Sequence, residues 1–241
     1  MNYIYCEKGK NKVLFLHGWG GDKYSFISTY NFLLGYGFTC LSVDLSGFGD
    51  NPPLNHDYTI FDYANDLKNL LIKMDYDNFT VICHSFGARV MSIINQYFTI
   101  TGVIITGGAG LKPKFSLIKF LKIKLYKIIK RLPFKLNKKL LSSFGSDDFK
   151  NLPENMRRTF VSIVNTDLKS KFAIIVCPCL IIWGKKDNIT PVYMAKKLNK
   201  IIKNSKLLFF DGGHFCYLEN DFLFNNTVLE FLKGEICQDS I

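Results

Sequence analysis

The sequence predicts an α/β fold: a mostly parallel, doubly wound sheet with a helical cap inserted between two of its strands. Three observations predict it. Short β-branched runs alternate with longer stretches of helical spacing, and such alternation builds right-handed βαβ units. The runs are apolar almost without a break, as in parallel strands buried on both faces. The alternation then fails in one block, 111–176, which contains no clear strand.

In chain order, the strand readings are "KVLFLHG" (12–18), "FTCLSVDL" (38–45), "FTVICHS" (79–85), "GVIITGG" (102–108), "CLIIWG" (179–184) and "KLLFFDG" (206–212). Helical spacing covers 61–74, 86–98, 191–202 and 221–233. Several strands end in polar or Gly-rich punctuation: "HGWGG", "DLSGFGD", "HSFG", "GKKDNITP" and "DGGHF". In sheets of this kind ligands bind at the carboxyl ends of the strands. The core is therefore assigned to 1–110 and 177–241, and the cap to 111–176.

Within the cap, "FSLIKFLKIKLYKIIKRL" is amphipathic. At helical spacing Leu117, Ile118, Leu121, Leu125, Ile128, Ile129 and Leu132 share one face, with Lys119, Lys122, Lys127 and Lys130 on the other. "PENMRRTFVSIVNTDL" (153–168) reads as a second helix opened by Pro153. The apolar stripe is expected to pack on the sheet domain and roof the strand ends.

The net charge of +11 has one source. Residues 111 to 146 hold eleven Lys or Arg and no Asp or Glu, and outside them basic and acidic side chains are equal in number. Two readings stand: a solvated lysine face, or a docking surface for an acidic carrier protein or an anionic membrane. With 241 residues, 48% of them hydrophobic, the chain has enough material for one globular core. No apolar run reaches the ~18 residues of a spanning helix, and the first residues lack a secretory pattern. Seven scattered cysteines suit reduced thiols in a cytoplasmic protein. "CPC" (177–179) is not a metal or redox spacing. The pattern calls for no cofactor, no metal and no nucleic-acid partner.

The chemistry is expected at the strand ends. "VICHSFGAR" (81–89) places Ser85 at the apex of a strand–turn–helix. A serine hydroxyl needs an adjacent base; His214, after the last strand, is placed to supply it. Asp187, after the preceding strand, is placed to orient the imidazole, and the order Ser, Asp, His is the one this triad takes on such a sheet. Asp211 is the alternative acid. Backbone donors for an oxyanion are expected from Phe86 and from Trp19 in the glycine-rich "HGWGG" loop, and both side chains would line a substrate pocket. His17 and His84 read as structural, with His84 pointing away from Ser85 on its strand. Asp44 is expected to fix the "SGFG" loop that follows it, and Arg89 to pack in its helix or contact the cap.

On "LHGWGG", "VDLSGFGDNPP", "CHSFGAR", "LIIWGKKDNITP" and "GGHFCYLEN", nearly the whole chain resembles the α/β-hydrolase superfamily. "HGWG" is similar to the loop of the pimeloyl carrier-protein methyl ester esterase group, and the cap looks more like that of a group of uncharacterised bacterial hydrolases. The resemblance implies a hydrolase with Ser85, Asp187 and His214 as triad and Trp19 in the oxyanion hole. The expected reaction is cleavage of a small-molecule carboxylic ester with an apolar acyl or alcohol part. The alternatives are a carbon–carbon bond hydrolase, a peptidase or a lyase on the same residues, or a non-catalytic binding member of the fold. Two departures stand out. The elbow is Cys-x-Ser-x-Gly where the family has Gly-x-Ser-x-Gly, so Cys83 is read as a tolerated packing substitution, the alternatives being a weakened elbow or an oxidisable thiol. Only "NYIYC" precedes the first strong strand, so one of the usual leading antiparallel strands is expected to be absent.

Overall fold

The computed structural model describes residues 1–112 and 154–234. The amphipathic lysine-rich stretch, with Lys119, Lys122, Lys127 and Lys130, lies outside the described residues.

Apolar residues of alternating parity form the strands β1 (Tyr3–Cys6), β2 (Lys12–Leu16), β3 (Thr39–Val43), β4 (Phe79–His84), β5 (Ile100–Thr106), β6 (Cys179–Gly184) and β7 (Ser205–Phe210). They make one seven-stranded sheet in the order β1-β3-β2-β4-β5-β6-β7. β1 pairs with β3 antiparallel and the remaining pairs are parallel. From β2 the chain steps one way to β3, crosses back to β4 and then runs the other way to β7. The direction of winding thus reverses between β2 and β4.

The pleat divides the core in two. Leu14, Leu16, Val81, Cys83, Ile105 and Ile181 face one layer, together with buried residues of α2 (Ile60–Lys73), α3 (Phe86–Ile94) and α6 (Val192–Ile201). Val13, Phe15, Ile82, Ile104 and Ile182 face the other, against α1 (Ile27–Gly35), α7 (Cys216–Glu219) and α8 (Asp221–Leu232). A strand's period of two sends neighbours to opposite faces, so a strand buried on both reads as one apolar run.

Between β5 and β6 the described residues hold α4 (Glu154–Asn165) and α5 (Lys169–Ala173) and no strand. Met156, Ile163, Leu168 and Phe172 are buried in the first of the two core layers. The chain leaves β5 and comes back past its own point of departure, where Leu168 N–H donates to the Gly110 carbonyl at 2.9 Å.

Candidate active site

The reversal of winding opens a crevice at the carboxyl edge of the sheet, and the loops after β2 and β4 border it. The loop after β4 is a single residue: β4 ends at His84, α3 starts at Phe86, and Ser85 makes the turn with φ 45° and ψ −104°. Positive φ in a non-glycine residue stores strain of roughly 1–3 kcal/mol. The surroundings hold it there. Ser85 N–H donates to the Thr106 carbonyl at 3.1 Å, and the Ser85 carbonyl accepts from Ala88 (3.2 Å) and Ala109 (3.0 Å). A Cβ on Gly87 would lie 2.4 Å from the Leu16 carbonyl oxygen, so only glycine fits. Cys83 is fully buried with Sγ 3.5 Å from the Ile104 carbonyl oxygen, and burial pushes its thiol well above the usual range. It sits as a small packing group.

Asp187 follows β6 and His214 follows β7. His214 Nδ1 lies 2.9 Å from Asp187 Oδ2. The other carboxylate oxygen accepts from the Ile189 and Thr190 N–H groups, both at 2.9 Å. The Thr190 hydroxyl lies 2.8 Å from Asp187 Oδ2, 3.2 Å from His214 Nδ1 and 3.1 Å from the Gly107 carbonyl oxygen. Burial opposes ionisation of Asp187, but the contacts from His214 and Thr190 outweigh it and hold the carboxyl below its ordinary value. A carboxylate can only accept, so Nδ1 carries the proton and Nε2 is left as the basic nitrogen. Asp211, the alternative acid, instead pairs with Lys185 at 2.8 Å on the surface. Among the described residues no hydrogen bond joins Ser85 Oγ to His214 Nε2. His214 borders Gly107, which takes a positive φ of 55° and where a Cβ would come within 3.1 Å of the His214 ring, and Ser85 is bonded to the main chain of Thr106 and Ala109 on either side of it.

The His214 loop is braced from behind. Gly213 N–H points between the two Glu219 carboxylate oxygens at 3.1 Å, and Asn220 Nδ2 donates to the Asp211 carbonyl at 2.6 Å. The sequence pattern does not point to Thr190, Glu219 or Asn220. The available signal for Thr190 is its place three residues after Asp187, where its N–H can close a turn onto the carboxylate.

Across the crevice the Trp19 ring packs 5.2 Å from Phe86, 4.9 Å from Phe48 and 5.1 Å from Phe160 of α4. Among the described residues, neither the Trp19 N–H nor the Phe86 N–H is donated to another protein group. His17 is buried, with Nδ1 2.6 Å from the Gly18 carbonyl oxygen, while Nε2 accepts from Leu45 N–H at 3.0 Å. This holds it as one neutral tautomer. Asp44 does fix the loop after it: its carboxylate accepts from Lys23 N–H (2.6 Å), Lys23 Nζ (2.9 Å) and Asp50 N–H (3.0 Å). Arg89 is buried and reaches α4, donating from Nη1 to the carbonyls of Ile163 (2.7 Å) and Thr166 (3.0 Å). His84, expected to be structural and turned from Ser85, lies against His214 itself, with ring centroids 4.7 Å apart.

A family profile described as "Alpha/beta hydrolase family" matches residues 13–225. The chain is 26% identical to the AB hydrolase superfamily protein YisY of Bacillus subtilis, over 91% of this chain and 90% of that one. It is also 26% identical to 2-hydroxy-6-oxononadienedioate/2-hydroxy-6-oxononatrienedioate hydrolase 1 of Pseudomonas putida, over 96% and 91%. Among solved structures, the esterase EaEST of Exiguobacterium antarcticum superposes with a TM-score of 0.74 at 21% identity, covering 96% of this chain and 94% of the other.

Proposed function

Since the chain belongs to the alpha/beta hydrolase family, we propose that it is a serine hydrolase cleaving a carboxylic ester with an apolar acyl or alcohol part. Ser85 is the nucleophile, His214 the base and Asp187 the group that orients it. The observation that carries this reading is the buried Asp187–His214 pair standing at the same sheet edge as a strained, single-residue turn at Ser85.

His214 Nε2 takes the hydroxyl proton as Oγ attacks the ester carbonyl. The oxyanion is held by the N–H groups of Phe86 and Trp19, and the leaving alcohol receives the proton from His214. Water, activated by the same imidazole, then releases the acid. Asp187 stays ionised and stabilises the imidazolium. The 111–176 segment acts as a helical cap, and the contact of Phe160 with Trp19 supports its closing one side of the crevice.

The name of the Pseudomonas putida relative favours a second reading, carbon–carbon bond hydrolysis of a 2-hydroxy-6-oxo dicarboxylate on the same residues. Such a substrate carries two negative charges. Among the described residues the buried cations are Lys23 and Arg89, and both are committed: Lys23 to Asp44 and Asp50, Arg89 to two α4 carbonyls. The rings of Phe48, Phe86 and Phe160 gather around Trp19 at the described crevice, which supports the apolar ester.

The test is a fluorophosphonate probe with aryl esters of graded acyl length, run beside a 2-hydroxy-6-oxo dienedioate. The expected result is labelling at Ser85, turnover of the esters, and loss of both in Ser85→Ala by a factor on the order of 10⁴ or more. Turnover of the dienedioate alone would select the second reading. An unlabelled Ser85, with Ser85→Ala matching wild type, would remove the serine from the chemistry.

A further inference from the structure

His84 has no part in the steps above, yet it is a deeply buried ionisable group at the site. It is 2% exposed and lies one residue before Ser85. Its Nε2 is 3.1 Å from the main-chain carbonyl oxygen of His214. A carbonyl only accepts, so Nε2 carries the proton and donates it. The opposite ring nitrogen faces Gly18, where a Cβ would come within 2.5 Å of Nδ1. Its flanks are closed by the rings of Phe215 and Tyr217, with centroids 5.1 and 5.0 Å away. One imidazole therefore touches the loops that carry Trp19 and His214 and belongs to the strand that carries Ser85.

We propose that His84 is a positioning residue. Its Nε2–H fixes the main chain of His214 relative to the nucleophile strand, and its ring sets the approach of the Gly18–Trp19 loop. The inference rests on the reading of Ser85 and His214 given above and assigns His84 no contact with substrate.

Two different restraints then act on His214. Asp187 and Thr190 hold the ring edge through Nδ1. They do not fix where the residue sits along the line towards Ser85, because they belong to the loop after β6. Among the described residues, the side chain that joins the main chain of His214 to β4 is His84. A donor there must stay neutral, with its proton on Nε2, while His214 alternates between imidazole and imidazolium. Burial does this: it draws the His84 pKa down to about 3, and the neighbouring His214 adds to the effect. Lysine or arginine could donate the same bond, but would bring a fixed charge beside the base. Gly18 is explained by the same contact, since any side chain there would strike the ring.

The test compares His84→Leu, which removes the donor, with His84→Gln, whose amide nitrogen reaches close to the position of Nε2. Three readouts are taken: the rate of fluorophosphonate labelling of Ser85, kcat and KM for an aryl ester, and the NMR signal of the His214 Nδ1 proton shared with Asp187. His84→Leu should lower labelling and kcat by about tenfold to a hundredfold, the scale of a small misplacement of a reacting group, with KM nearly unchanged. It should also move or broaden the Nδ1 proton signal. His84→Gln should return labelling to within about threefold of wild type and restore the signal. An unmoved signal with labelling within twofold in His84→Leu would overturn the proposal. So would equal losses in both variants that follow a fall in melting temperature, since that is packing alone. The proton signal is read without catalysis. Failure of wild type to label at Ser85 would therefore count against the hydrolase reading, while the signal in the two variants still decides the role of His84.

Discussion

Positions 83 and 87 stand two residues either side of Ser85, and the fold treats them differently. At 87 a single added carbon would sit 2.4 Å from a main-chain oxygen of β2, which cannot move without breaking the sheet. Gly87→Ala should therefore cost several-fold or more in the proposed aryl-ester turnover and about 2 kcal/mol or more of stability, in the range of overpacked cores. At 83 the cysteine already fills its space and packs on β5. Cys83→Gly should keep activity within about threefold while losing about 1–2 kcal/mol, as for a small cavity; urea melts and aryl-ester rates on both variants check the contrast. The pair also marks the limit of what a sequence can say. The departure from the glycine pattern is visible at 83, but its effect depends on the space beside Ile104, which no linear pattern contains. Thr190 and Glu219 escape notice for a related reason. Each acts through a hydrogen bond to a loop, and a threonine or glutamate near a turn is common enough to carry no signal until the loop's shape is known.

At the scale of elements, strands and amphipathic helices are legible because each has one period. The strand reading 179–184 matches the structure, and 12–18, 38–45, 79–85, 102–108 and 206–212 differ from it by one or two residues at their ends. α1 escapes a reading by period, since "ISTYNFLLG" is apolar round much of its circumference and shows no polar face. β1 has no signal of its own, because four residues become a strand only against β3. α4 is legible in the sequence, but what secures it is not. Its last carbonyls receive the Arg89 guanidinium, a cation at the negative end of a helix. Burial lowers that pKa to about 10, with Asp167 opposing, so the charge persists at neutral pH. Arg89→Met should leave these buried acceptors unpaired, costing about 2–3 kcal/mol. Hydrogen exchange across 154–165 should accelerate more than exchange in β4 or β5. Uniform acceleration would mean that Arg89 supports the whole core and not this helix.

The whole molecule inherits a pH dependence from its buried histidines. Burial lowers the pKa of both His17 and His84 from 6.5, the latter to about 3. The unfolded chain therefore takes up protons first as pH falls, and stability drops from about pH 6.5 downward. Each such histidine contributes up to about 1.4 kcal/mol per pH unit. Asp44 and Asp187 are held below the usual carboxylate value despite their burial, by hydrogen bonds and nearby positive groups. They act in the same direction, but only below about pH 4. Urea denaturation at pH 7.5 and 5.5 should differ by about 2–3 kcal/mol, with the higher pH more stable, and His84→Gln should remove about half of the difference. Equal midpoints at the two pH values would show that these imidazoles accept protons within the native fold.

The hydrogen bond between Leu168 and Gly110 gives the molecule a seam. Everything between those two residues departs from and returns to one spot on the scaffold, so closing that circuit carries a cost that grows slowly with its length, and beyond the seam the described part is tied down through α4, by buried Met156 and Ile163 and by Arg89. Ser85, Asp187, His214 and their braces all lie outside it. The excursion ahead of α4 can therefore change in size and charge while the proposed reacting groups keep their places.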